Sequence, residues 1–219
     1  MSKIISGVEE AGRGPVIGPM VMAICTIKEE EESKLTMMGV KDSKLLSPKE
    51  RERLYPEIIK VVLDYKIRIV SPKQIDAALN DKILNLNLLE ANISAELINK
   101  LKPDKAILDC PSTNIPAYRN YVKSKVTSKT EIIAEHKADV NHPIVSAASI
   151  LAKVTRDREI QELKYEIGEN FGSGYPSDPM TVDFLEKNYE KYEKIFRKTW
   201  ASYQNVVKKK AQTNLGKWF

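Results

Sequence analysis

The apolar positions of this chain fall into short runs and helical stripes separated by dense turn signals. Ile4 and Ile5 begin one run and Met20 to Ile27 (MVMAICTI) form another, with a glycine-rich turn between them, which predicts strand, turn, strand. Lys28 to Ser33 (KEEEES) reads as a solvated connection. Ser47-Pro48 has the form of an N-cap and first helical residue, and Leu54, Ile58, Val61 and Val62 supply the stripe of the helix that follows. Ile67 to Val70 predicts a third strand, and Ser71-Pro72 opens another helical stretch. Leu86, Leu89, Ile93, Leu97 and Ile98 recur at helical spacing within Ile83 to Leu101. Lys105 to Asp109 (KAILD) and Thr130 to Glu135 (TEIIAE) read as fourth and fifth strands.

From Pro143 to Asn170 the pattern is helical, with Ala147, Ala148 and Ala152 small enough to pack closely on a sheet. A loop of turn formers from Phe171 to Pro179, a helix over Thr181 to Tyr192 and a basic segment from Arg197 to Lys210 complete the chain before its tail. A hairpin followed by alternating strands and helices implies one mixed α/β sheet with helices on its faces, plus a small helical extension beginning near residue 180. No coiled coil or long apolar edge appears, so a monomer is expected.

Composition narrows the class. With 219 residues, 42% hydrophobic and 30% charged, the chain can bury one substantial core. A net charge of +5 and a pI near 9.0 suit a polyanionic partner. Cys25 and Cys110 lie in apolar segments without CxxC spacing, which predicts buried free thiols and a reducing compartment. No apolar stretch reaches membrane-spanning length, and Met1-Ser2-Lys3 runs straight into the first strand, so a cytoplasmic location without membrane association is expected.

The candidate chemistry is acidic. Glu9, Glu10, Asp109 and Asp139 each fall at the end of a predicted strand or just beyond one, so strands sharing a sheet would bring the carboxylates to one edge. Adjacent residues on a strand point to opposite faces, so Glu9 and Glu10 can join one cluster only where the strand gives way to the turn. Such a cluster repels itself unless cations neutralise it, and oxygen-only ligands suit Mg²⁺ or Mn²⁺. Two such ions are the apparatus of phosphodiester hydrolysis, which makes a nuclease the leading hypothesis. Gly12 and Gly14, flanking Arg13, let backbone N–H groups approach a ligand closely. A dinucleotide fingerprint is excluded there, because Pro15, Pro19 and the β-rich run that follows oppose a helix.

The motifs EEAGRGPVIGP (Glu9–Pro19), KDSK (Lys41–Lys44), LD (Leu108–Asp109), EHKAD (Glu135–Asp139), SAASILAK (Ser146–Lys153), GSGYPSDP (Gly172–Pro179) and RKTW (Arg197–Trp200) together resemble type 2 ribonuclease H (ribonuclease HII) of the archaeal kind. The resemblance spans residues 4 to about 200. It implies a ribonuclease H-like fold with a five-stranded mixed sheet, in a catalytic domain over 1–180 followed by a helical extension over 181–211. The implied activity is endonucleolytic cleavage of RNA in RNA–DNA hybrids and at ribonucleotides embedded in duplex DNA, giving 5′-phosphate and 3′-hydroxyl ends.

By position, the resemblance makes Glu9, Glu10, Asp109 and Asp139 the metal ligands and catalytic acids, and Gly12-Arg13-Gly14 the loop whose backbone reads the ribose 2′-OH. It places Ser43 and Lys44 in the phosphate-contacting segment and Tyr175 against the sugar beyond the scissile junction. His136 and His142 match no family catalytic residue and read as structural. Glu9 departs from the family, which carries aspartate there; the added methylene lengthens the side chain by about 1.2–1.5 Å and predicts reduced or metal-shifted activity. The competing expectation is therefore a hybrid-binding protein that has lost turnover.

The last residues, 212–219, carry Gln212, Leu215, Trp218 and Phe219 behind Lys208-Lys209-Lys210, and resemble the peptide by which proteins bind a sliding clamp. An aromatic pair at a chain end is poorly explained as ordinary surface.

Overall fold

The computed structural model describes residues 2–81 and 83–215, with side chains described through residue 212. Its centre is a five-stranded sheet: β1 (Ile4–Ala11), β2 (Met20–Lys28), β3 (Asp64–Val70), β4 (Lys105–Asp109) and β5 (Glu131–Glu135), in the spatial order β3-β2-β1-β4-β5. β1, β2 and β3 are antiparallel neighbours, whereas β4 runs parallel to both β1 and β5. The carboxyl ends of β1, β4 and β5 therefore share one edge of the sheet.

Nine helices surround it among the described residues: α1 (Ser33–Met37), α2 (Pro48–Val61), α3 (Pro72–Asn80), α4 (Leu86–Leu101), α5 (Ile115–Lys125), α6 (Ala138–Asn141), α7 (Pro143–Ile167), α8 (Pro179–Asn188) and α9 (Ala201–Leu215). The expected starts hold for local reasons. Ser47 accepts from Glu50 N while Glu50 Oε2 accepts from Ser47 N, and Ser71 and Gln74 repeat this reciprocal capping at the head of α3. Asn85 caps α4, so that helix begins at Leu86 rather than at Ile83.

Two stretches differ from the sequence pattern. Lys28 to Ser33 is not an open connection but a short 3-10 turn over Glu29–Glu31 leading into α1. Leu35 is fully buried there, and Glu32 Oε1 accepts the Ile144 N–H at the head of α7, so a segment of charges is tied down by tertiary contacts. The interval between Asp109 and Thr130 holds α5, capped by Asn114 and anchored by buried Tyr118 and Val122.

Alternation along β1 sorts the core into two layers. Ile5 and Ala11 face the layer built with α2 and α7, including Leu54, Ile58, Val145 and Ala148, while Val8 faces the layer built with α3, α4 and α5, including Ile75, Leu97 and Val122. Gly7 lies where α7 crosses the sheet: a Cβ there would overlap the Ile144 backbone carbonyl, so only glycine permits this contact. A third apolar cluster joins Val16 and Ile17 to Phe171, Phe184, Phe196 and Tyr203, fastening α8 and α9 beside the glycine-rich turn. Both cysteines are buried and free, as their spacing predicted. No helix among the described residues is long and apolar enough to cross a membrane.

Candidate active site

At the carboxyl edge, Glu9, Glu10, Gly12, Arg13, Gly14, Ser43, Lys44, Asp109 and Tyr175 line one cleft of about 260 Å³ together with Ser149 and Lys153. Both glutamates lie within β1, opposite Ala23 and Met22 of β2, and so point to opposite faces. Glu9 turns toward the α7 layer with Asp109 and Asp139 around it; Glu10 turns toward α4 and Glu90. They reach the same cleft because it wraps the end of the sheet.

Asp139 is delivered from α6 and is buried. Asp109 Oδ1 accepts from Ala138 N at 2.8 Å, which ties the end of β4 to the head of α6 and sets the two acids side by side. Ser146 on α7 donates to the Asp139 carbonyl, closing the joint from the other side. Lys44 Nζ stands 3.7 Å from Asp139 Oδ2.

The charges are under strain from one another. Burial, then the charges of Glu10, Asp109 and Asp139, hold the Glu9 carboxyl well above the usual carboxylate range. Burial and Asp109 push Glu10 up to about 7, against the pull of Arg13 and Lys44. Asp139 is raised by its burial in spite of Lys44. Glu9 Oε2 is buried and has no hydrogen-bond partner. Among the described residues no three His, Cys, Asp or Glu side chains form a ready metal cage; what calls for a cation is the uncompensated negative charge.

Around the acids the loops are fixed by residues the motifs did not single out. The Arg13 side chain is tied to α4, Nε donating to the fully buried Glu90 at 2.9 Å and Nη2 to Asn87 at 2.7 Å, so it offers the cleft its backbone and, to Glu10, its charge. Ser43 is buried with its Oγ 2.9 Å from Ser149 Oγ, and Arg51 donates to the Ser43 and Leu46 carbonyls, while Lys44 is exposed and lines the cleft. Tyr175 packs on Gly14, and the Arg156 guanidinium lies 5.6 Å from its ring centre. Ser149 and Lys153 are four residues apart on α7; that spacing within Ser146–Lys153 was the available signal for both. Glu90 and Arg156 carried no such signal, since a buried charge is recognisable only by its distant partner; Arg197 stood in the RKTW motif, which did not tell what it holds.

His136 contacts the Cys110 carbonyl through Nδ1 at 2.9 Å and His142 contacts Glu135 at 2.6 Å; neither lines the cleft. Of the tail residues, Gln212 is exposed on α9 and Leu215 is its last residue, while Trp218 and Phe219 lie outside the described residues.

Residues 6–203 match the family model for ribonuclease HII. The ribonuclease HII of Pyrococcus abyssi is 44% identical over 210 residues, covering 94% of this chain and 92% of that one. The crystal structure of ribonuclease H2 from Pyrococcus horikoshii OT3 superposes with a TM-score of 0.86 at 43% identity, over 94% of this chain and 98% of that one. A PCNA:RNase HII complex from Archaeoglobus fulgidus gives 0.80 at 38% identity, over 92% and 96%. The fold is ribonuclease H-like, and with near full-length matches at this identity the chain belongs to the ribonuclease HII family of endoribonucleases.

Proposed function

We propose that this chain hydrolyses RNA within RNA–DNA hybrids and at single ribonucleotides embedded in duplex DNA, leaving 5′-phosphate and 3′-hydroxyl ends, with two Mg²⁺ or Mn²⁺ ions held by Glu9, Glu10, Asp109 and Asp139. The observation that carries the reading is the make-up of one cleft, in which self-repelling acids, a glycine-flanked backbone, a lysine and a tyrosine meet. The donor set fits a hard divalent ion: it is all oxygen, and Glu9 Oε2 is buried without a partner. When bound, such ions supply a lowered pKa for water and charge stabilisation at the leaving oxygen.

The rest of the work falls to the chain. Lys44 presents a point charge to a backbone phosphate. Ser43, beneath it, fixes the segment through Ser149. The Gly12–Gly14 backbone contacts the 2′-OH, the group that separates RNA from DNA. Tyr175, 37% exposed, offers its ring to the sugar beyond the scissile junction.

The Archaeoglobus neighbour was solved bound to PCNA, and this chain's residues 212–219 resemble a clamp-binding peptide, so we assign the tail the same kind of partner. Incubating end-labelled hybrid, single-ribonucleotide duplex and all-DNA duplex with each metal tests the activity: the first two are expected to be cut at RNA and the third left whole. Cleavage of all three would refute the assignment. Removing residues 212–219 is expected to abolish clamp binding and leave cleavage of free duplex unchanged; undiminished clamp affinity refutes the tail's role.

A further inference from the structure

Arg197 is fully buried, 0% exposed, yet it makes no ion pair among the described residues. Each of its three side-chain nitrogens donates to a backbone carbonyl of the glycine-rich turn: Nε to Gly18 at 3.0 Å, Nη1 to Arg13 at 2.8 Å and Nη2 to Gly12 at 2.6 Å. Three residues later, Trp200 Nε1 donates to the Gly14 carbonyl at 3.0 Å, with its ring 4.8 Å from the Arg197 guanidinium. The Arg197 N–H itself donates to the Val16 carbonyl. The carbonyls of Gly12, Arg13 and Gly14 are thus all drawn to one side by a motif some 185 residues away in sequence.

Peptide planarity turns this into a statement about the other side. In a trans peptide the N–H of residue i+1 points opposite to the C=O of residue i. Holding the Gly12 and Arg13 carbonyls toward Arg197 therefore aims the Arg13 and Gly14 N–H groups the other way. No described residue accepts from either N–H. The third plane ends in Pro15, which has no N–H to misdirect. Gly12 adopts φ +77°, which glycine reaches without a Cβ penalty, so the setting of the loop is left to the contacts its carbonyls make. Arginine suits the task because its planar fork reaches three acceptors at fixed angles, which an ammonium on a flexible stem does not.

We infer that Arg197, seconded by Trp200, is a positioning residue that sets ribose specificity by orienting the two N–H groups of the sugar-reading loop. The inference rests on the reading of Gly12–Gly14 given above. It makes Arg197 a determinant of discrimination rather than of overall nucleic-acid affinity, since it stands behind the cleft wall and does not itself line the cleft.

The test measures equilibrium binding by fluorescence anisotropy in an Asp109→Asn background with Mg²⁺, using a DNA duplex with one ribonucleotide and the same duplex in all-DNA form. The Asp109→Asn protein is expected to prefer the ribonucleotide duplex, by about 5- to 10-fold for one or two hydrogen bonds. Adding Arg197→Lys should bring that ratio close to one while all-DNA affinity stays within about twofold. Adding Trp200→Phe, which keeps the ring and loses one donor, should lower the ratio by about two- to threefold. A folded Arg197→Lys protein with an undiminished ratio overturns the inference. Should that variant fail to fold, Trp200→Phe decides, and an unchanged ratio there overturns it equally. A ratio of one in the Asp109→Asn protein itself would instead sink the sugar-reading role of the loop.

Discussion

Lys44 Nζ lies 3.7 Å from Oδ2 of Asp139, the lysine side chain 79% exposed and the carboxylate 5%. Burial pulls the ammonium's pKa down, but Asp139, Asp42, Glu9 and Asp109 together raise it, so it is charged at any working pH. A cation so placed offsets part of the acids' charge and remains available to a phosphate. Lys44→Ala is expected to weaken duplex binding about 5- to 10-fold and to lower the slope of log affinity against log salt by about one. Anisotropy titrations across a salt series check this, and an unchanged slope would remove Lys44 from the phosphate contacts.

The acids predict a pH dependence that metal should reverse. Glu10 rises from its ordinary 4.5 to about 7, and Glu9 is raised as well, so without a cation the folded chain holds protons that the unfolded chain has released. The stabilising contribution of Glu10 is whole below about 4.5 and lost as pH climbs through about 7, and that of Glu9 is lost in the same direction. The melting temperature of chelator-treated protein should fall over that window on their account, and Mg²⁺ or Mn²⁺ should raise it more at pH 8 than at pH 5. A metal effect of equal size at both pH values contradicts the assignment of ions to these acids.

The sequence resemblance leads one to expect aspartate where Glu9 stands, and the buried Oε2 of Glu9 lacks a partner. With β1 held in register against β2 through Ala11, the longer side chain has little backbone freedom to compensate. Glu9→Asp should raise the cleavage rate by about tenfold or shift the preference between Mg²⁺ and Mn²⁺, because placement within about 0.5 Å governs such sites. Equal single-turnover rates in both metals would show that Glu9 costs nothing.

Gly7 supplies a stability test remote from the acids. A methyl group there would meet the Ile144 carbonyl, which is backbone and cannot rotate away. Gly7→Ala should cost about 3 kcal/mol in urea denaturation as α7 is pushed off the sheet. A loss below 1 kcal/mol (about the scale of an ordinary surface change) would mean that α7 is not seated as described.

The strands, the capped starts of α2 and α3 and the meeting of Glu9, Glu10 and Asp109 in one cleft, with Asp139 set beside Asp109, were legible because each is written in neighbouring residues: an apolar run, a Ser-Pro pair, an acid at a strand's end. α1 was not, since KEEEES is held down by Leu35 and by the reach of Glu32 to α7. That both glutamates serve one cleft was also hidden, because alternation separates them and only the wrapping of the cleft around the sheet end reunites them. The supports of the loop were least visible: Glu90 meets Arg13 across 77 residues and Arg197 meets Gly12 across 185, separations that local pattern does not register.

In the proposed function β1 and its turn divide the labour, with acids for chemistry and backbone for recognition. Single-turnover cleavage and equilibrium binding of one duplex carrying one ribonucleotide, compared between the protein and its Asp109→Asn variant, test it most directly. The amide introduced by Asp109→Asn keeps an oxygen for the Ala138 N–H while losing the charge. The account predicts cleavage slowed by at least about 10³-fold, the scale of losing a transition-state stabiliser, with the preference for ribonucleotide over all-DNA duplex retained. Cleavage within tenfold of the unmodified protein (about 1.4 kcal/mol), or a preference lost along with it, would contradict the account.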